Sequence, residues 1–220
     1  MRVQPSTDEP DATTADPRTW IHVGVLAGLI AAWFGLIQRF GQGDVYSVIG
    51  PFACAVCAVS IAIDPRAVQR WLAPHARAVL IGVGVGLTMT ALTYPVFRLA
   101  VALYPALDVQ VHMLYVGARS TTLPKALAWV LAIILAEELL FRGAWPAALE
   151  RWLPRRAAFL VSLVTYALAQ FGTGSWIVVA MAAVCGSIWT LQRLYTGSLL
   201  SPLIAHLIWS PTVILLYPVT

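Results

Sequence analysis

The residues able to do chemistry gather in Ala136-Glu137-Glu138-Leu139-Leu140-Phe141-Arg142-Gly143, where two adjacent carboxylates and a guanidinium interrupt an apolar run that begins near Ala126. A charge at the centre of a bilayer costs about 2.5–3.5 kcal/mol on insertion scales, so three of them in one turn and a half of helix need partners. Glu138 and Arg142 are spaced i,i+4 and share a helical face, which makes them an internal pair. Glu137, rotated roughly 100° from its neighbour, points to another surface and is left free for chemistry. Two further polar groups lie in distant apolar stretches. His206 sits about 10 Å inside the last one at 1.5 Å per residue, with Ser210 one turn on along the same face. Tyr166 and Gln170 share a face in another, where Gln170 brings in an amide with both donors and an acceptor.

This set suits the hydrolysis of an amide. Glu137 is the expected base, accepting a proton from water. His206 is the expected donor to the developing oxyanion, with Gln170 or Ser210 as a second donor. Each also has a structural alternative: a backbone hydrogen bond for His206, helix packing for Ser210, a bridging contact for Gln170. Zinc is the competing chemistry, but a catalytic zinc takes three protein ligands and no H-E-x-x-H occurs. Glu137, Glu138 and His206 would make three ligands only in awkward geometry, so neither metal nor cofactor is expected. Gly41-Gln42-Gly43-Asp44 and Pro105-Ala106-Leu107 match strings of aspartyl intramembrane proteases, yet no aspartate falls inside an apolar stretch. A Gly-x-Ser serine site is missing there too.

The elements that must position these groups are helices in a membrane. The chain of 220 residues is 60% hydrophobic and 11% charged, against about 25% charged in a soluble domain, and its mean hydropathy is +0.79. The fold class expected is all-α, a polytopic transmembrane helical bundle of about seven spans, near 20–40, 46–63, 78–103, 123–144, 157–171, 176–194 and 199–219. Residues 20–220 form a single transmembrane domain on this reading. Residues 1–19, with four acidic side chains and three prolines, are expected to be a disordered tail. Trp20 marks the entrance of the first span, His22 snorkels beside it, and Pro146 opens a short interfacial helix. Gly82 and Gly86 have the G-x-x-x-G spacing of close helix packing. Tyr94-Pro95, with Arg98 four residues beyond Tyr94, suggests a bend and a cavity wall.

Nine Lys and Arg fall in the tail, in loops near 64–77 and 149–157 and at Arg193, against four at Arg39, Arg98, Arg119 and Lys125. That bias puts the amino terminus in the cytoplasm. The net charge of +4 therefore serves orientation, and nucleic acid is not an expected partner. The three cysteines, Cys54, Cys57 and Cys185, all lie in apolar stretches and read as packing residues, with no disulfide framework.

Glu137-Glu138-x-x-x-Arg142, the Tyr166-x-x-x-Gln170 pair and His206-x-x-x-Ser210, in that order, resemble the three motifs of the CAAX protease and bacteriocin-processing family. The flanking Leu139-Leu140-Phe141-Arg142-Gly143, the Tyr195-Thr196-Gly197-Ser198-Leu199-Leu200 turn and the Ala205-His206 step add to the likeness, which covers about 125–215. The resemblance implies an intramembrane glutamic endopeptidase of a bacterial inner membrane, acting on a membrane-embedded or membrane-proximal peptide or protein. In it the first Glu activates water, the second Glu and the Arg organise the site, and the His holds the oxyanion. Two positions depart from the family's wording: Gln170 stands where its second motif ends in His, and Ser210 where its third ends in Asn or Asp. Gln cannot carry a proton and Ser is a shorter donor than Asn. A relative that binds a peptide or serves immunity without cutting is the alternative, and a proton-relaying transporter a third reading, for which inverted repeats are lacking.

Overall fold

The computed structural model describes residues 17–40, 45–118 and 121–219, and in them the chain is helical with no strand. The helices are α1 (Pro17–Phe40), α2 (Val45–Ile63), α3 (Pro65–Leu72), α4 (Ala76–Leu103), α5 (Ala106–Ala118), α6 (Leu123–Glu137), α7 (Trp145–Leu149), α8 (Arg155–Ala169), α9 (Trp176–Thr196) and α10 (Leu200–Pro211). A π-helical stretch, Glu138–Ala144, joins α6 to α7, a 3-10 turn, Gln170–Thr173, ends α8, and a second π stretch, Thr212–Leu216, follows α10.

A helix stands at each of the seven expected span positions. Four of them, α1, α2, α4 and α9, are long and apolar enough to cross a membrane alone, and 200–216 forms a shorter apolar helix. Helices α6 and α8 have 15 residues each, about 22 Å at 1.5 Å per residue against a hydrocarbon core of about 30 Å. The integral membrane character follows from this and from where the apolar side chains point. Leu80, Leu99, Leu103, Val109, Leu160 and Leu191 are all more than half exposed, a placement stable only where lipid takes the place of water.

Most of the expected tail, 1–16, lies outside the described residues, as does the Gly41–Asp44 string. Residues 17–19 correct its boundary: they are the first turn of α1, where Thr19 is buried and accepts a hydrogen bond from Arg151. Two helices were not foreseen. Helix α5 fills the connection after α4, and α3 turns part of the 64–77 loop into a short amphipathic helix started by Asp64, whose carboxylate caps Ala67 N at 2.8 Å. Pro146 opens α7 as expected.

The packing follows small residues. A Cβ on Gly82 would meet Ser201 O at 2.7 Å and one on Gly86 would meet Ala205 Cα at 3.0 Å. The glycine face of α4 therefore lies directly on α10, the helix that carries His206. Gly50 does the same for α2 against Trp129 of α6. Helix α4 continues through Pro95, and the Tyr94 hydroxyl donates to the Tyr217 carbonyl at 2.7 Å. Cys54, Cys57 and Cys185 are free thiols.

Candidate active site

Every residue from Glu137 to Ala144 is buried, with Glu138 and Arg142 at 0% and 1% exposure, so three charges sit where water does not reach them freely. What holds them there begins with the backbone. Where α6 ends the helix widens into π geometry, and Trp145 N–H reaches back five residues to Leu140 O. Pro146 has no N–H and cannot reach back to the carbonyl of Phe141 or of Arg142. Both carbonyls find partners elsewhere in the fold. The fully buried Ser162 hydroxyl of α8 donates to Phe141 O, and Arg193 Nε of α9 donates to Arg142 O at 3.2 Å. The π stretch is thus braced by two neighbouring helices, as buried carbonyls require.

Glu138 is the centre of the charge cluster. Its Oε1 lies 3.4 Å from Arg142 Nη1 and 2.9 Å from His206 Nδ1. The internal Glu138–Arg142 pair expected from i,i+4 spacing is present. Arg142 is held by that charge and by two aromatic faces, with its guanidinium carbon 4.2 Å from the Tyr166 ring centroid and 5.4 Å from that of Trp189. Gly186 allows this approach, since a Cβ there would come within 2.9 Å of Arg142 Nη2.

Glu137 occupies the other surface and receives two donors from α8 and its terminal turn. The Tyr166 hydroxyl donates to Oε2 at 3.1 Å and Gln170 Nε2 donates to Oε1 at 3.3 Å. His206 Nε2 stands 3.8 Å from Glu137 Oε2, too far for a direct hydrogen bond. The ring's short contact is to Glu138, and only its outer nitrogen faces Glu137. An ionised carboxylate only accepts, so Nδ1 carries the hydrogen towards Glu138 and Nε2 is the nitrogen turned to Glu137. Trp189 fixes the ring plane, stacked on His206 with centroids 3.6 Å apart and planes 20° from parallel.

Ionised, the two carboxylates and one guanidinium leave a single excess negative charge in a buried site. The imidazole of His206 lies against both carboxylates, 2.9 Å from Glu138 Oε1 and 3.8 Å from Glu137 Oε2.

The structure brings together Glu137, Glu138, Arg142, Gln170 and His206. It does not bring in Ser210: this side chain is buried on α10, and among the described residues no hydrogen bond joins it to the cluster. Among those residues, too, no group of three His, Cys, Asp or Glu is placed to hold a metal ion. Sequence reasoning named Tyr166 beside Gln170 without giving it a role and left Ser162, Trp189 and Arg193 out of the site. Tyr166 and Ser162 had a visible signal, because 162, 166 and 170 form a polar stripe at i,i+4 spacing on α8. Trp189 and Arg193 had none, being one of nine tryptophans and one of a set of helix-end basic residues.

Residues 119–211 match the model of the type II CAAX prenyl endopeptidase Rce1-like family. That stretch, less than half of the chain, is similar to the family. The match spans the whole cluster from Glu137 to His206 and is consistent with the CAAX protease and bacteriocin-processing resemblance. No curated protein and no solved structure matches the chain.

Proposed function

We propose that this protein is an intramembrane endopeptidase that hydrolyses a peptide bond of a membrane-embedded or membrane-proximal substrate with water activated by Glu137. The observation that carries the reading is the arrangement of Glu137: a buried carboxylate held by the Tyr166 and Gln170 donors, with His206 Nε2 facing it across 3.8 Å. A water beside the two atoms, hydrogen-bonded to both, touches a base and an imidazole nitrogen.

The reaction needs Glu137 as a carboxylate and a hydrogen on His206 Nε2, with Nδ1 on Glu138. The water oxygen attacks the substrate carbonyl carbon as its proton passes to Glu137. Negative charge develops on the carbonyl oxygen, and the Nε2–H of His206 stabilises it. The C–N bond then breaks as Glu137 returns its proton to the leaving amine, so one water is consumed and one acid and one amine are formed. Glu138 and Arg142 touch neither substrate nor water here. Glu138 orients the imidazole and balances its charge, as a carboxylate does in other His-based sites.

The active unit is a single transmembrane domain of 20–220 with its amino terminus in the cytoplasm of a bacterial inner membrane. Contacts between the basic segments support that sidedness. Arg151 donates to Thr19, Arg77 lies over the Tyr195 ring, and Leu199 N donates to Trp71 O at 2.8 Å, so the 64–77, 149–157 and 193–199 segments meet at the end where α1 begins. They hold the larger share of Lys and Arg.

The test is cleavage of candidate membrane peptides by the protein reconstituted in liposomes, read by mass spectrometry. Wild type is expected to cut, and Glu137→Gln and His206→Ala to lose cleavage. Equal cleavage by all three overturns the mechanism. A biological function unaffected by Glu137→Gln would point instead to a binding or immunity role, which the substitutions at Gln170 and Ser210 relative to the family's motifs would then explain.

A further inference from the structure

A second polar site lies behind the cluster, on the far side of the Arg142 backbone. Trp71, Gly143, Ala147, Glu150, Arg155, Phe159, Arg193 and Gly197 line a cavity of about 270 Å³ between α3, α7, α8 and α9. Its charged groups are Arg193, which is 5% exposed, and the half-exposed Arg155 and Glu150 at the mouth. Arg155 Nε is 3.8 Å from Glu150 Oε1, the loose distance of a surface pair that contributes little. That leaves Arg193 as a net positive charge within the wall.

Arg193 is a buried cation without an anion. Its Nε donates to Arg142 O, its Nη1 donates to Gly197 O, and its guanidinium carbon lies 5.5 Å from the Trp71 ring centroid. Among the described residues no carboxylate lies within ion-pair distance of it. Carbonyls and an aromatic face offset part of the cost of burying a guanidinium, and its Nη2 makes no hydrogen bond to the protein. A buried charge of this kind calls for a counterion, and the cavity is where one fits. Its depth in the membrane identifies the source. Arg193 is in the last turn of α9 and Arg155 opens α8, while Trp20 and Trp152, with ring centroids 4.8 Å apart and both more than 40% exposed, mark the bilayer interface at the same end. Phosphates of lipid headgroups lie at that level, and basic cavities between helices are where anionic headgroups dock.

We propose that this cavity binds the phosphate of an anionic phospholipid headgroup, with Arg193 as its buried anchor and Arg155 at its mouth. Arg193 Nε also holds the Arg142 carbonyl, so an occupant steadies the same guanidinium that braces the π stretch. The site stands apart from the peptidase reading, and its test needs no cleavage.

The test uses the delipidated full chain in detergent, titrated with phosphatidylglycerol, phosphatidylcholine or inorganic phosphate and followed by its thermal-unfolding midpoint and by native mass spectrometry. Phosphatidylglycerol is expected to bind at least about tenfold more tightly than phosphatidylcholine, and the preference to vanish in Arg193→Gln and Arg155→Gln. Arg155 is exposed enough that its variant folds even where the Arg193 variant does not. Arg66→Gln, at an exposed basic position outside the cavity, keeps the preference. Binding of inorganic phosphate that is lost in the same two variants supports the phosphate site with a soluble occupant. Equal binding of the two lipids by wild type, or a preference unchanged in Arg155→Gln, overturns the proposal.

Discussion

Tyr166→Phe removes one oxygen from the cluster and little else. The ring stays, with its contact to Phe141 at 5.1 Å between centroids and its face under Arg142 at 4.2 Å. What goes is the hydroxyl that donates to Glu137 Oε2 at 3.1 Å, one of the two donors on that carboxylate. A hydrogen bond to a charged group contributes about 1.5–3 kcal/mol, and about 1.4 kcal/mol is a tenfold change in rate. The ionised carboxylate is the form that takes the proton from water, so the variant should turn over about tenfold to a hundredfold more slowly. Tyr166 is not needed to bind the peptide, so the loss should appear in kcat with KM little changed. The assay is initial-rate cleavage of a reporter peptide in liposomes, with the unfolding midpoint showing that the variant is folded. A folded variant with wild-type kcat would remove Glu137 from the role of base held by its donors, and a change confined to KM would make Tyr166 a substrate contact.

Trp189→Leu removes the plane stacked on His206, and kcat should fall about tenfold while the histidine side-chain resonances, read by nitrogen-15 NMR, broaden or shift. Unmoved resonances would reduce Trp189 to a packing residue. Ser162→Ala leaves the buried Phe141 carbonyl without a donor and should lower stability by about 1–3 kcal/mol, measured by reversible denaturation in detergent. Gly186→Ala puts a methyl 2.9 Å from Arg142 Nη2 and should cut activity severalfold, whereas Gly84→Ala, with nothing within 4 Å, should leave activity at the wild-type level.

The sequence by itself determined what depends on nearest neighbours along the chain. Membrane residence follows from composition, the helices from apolar length, the Glu138–Arg142 pair from i,i+4 spacing and the opening of α7 from Pro146. That the Gly82/Gly86 face of α4 packs closely on another helix was also legible, though not that the helix is α10. Tertiary structure decided the partners. Glu137 meets Tyr166 and Gln170 across 29 and 33 positions of chain, and Glu138 meets His206 across 68. Periodicity says which face of a helix a side chain is on, not which neighbour that face meets or at what rotation. Spacing alone could not say that the His206 ring would turn Nδ1 to Glu138 and Nε2 to Glu137, or that among the described residues no hydrogen bond would join Ser210 to the cluster. The π stretch was hidden for the same reason. Its freed carbonyls are stable only because Ser162 and Arg193 arrive from other helices, and a local rule cannot see a partner supplied by the fold.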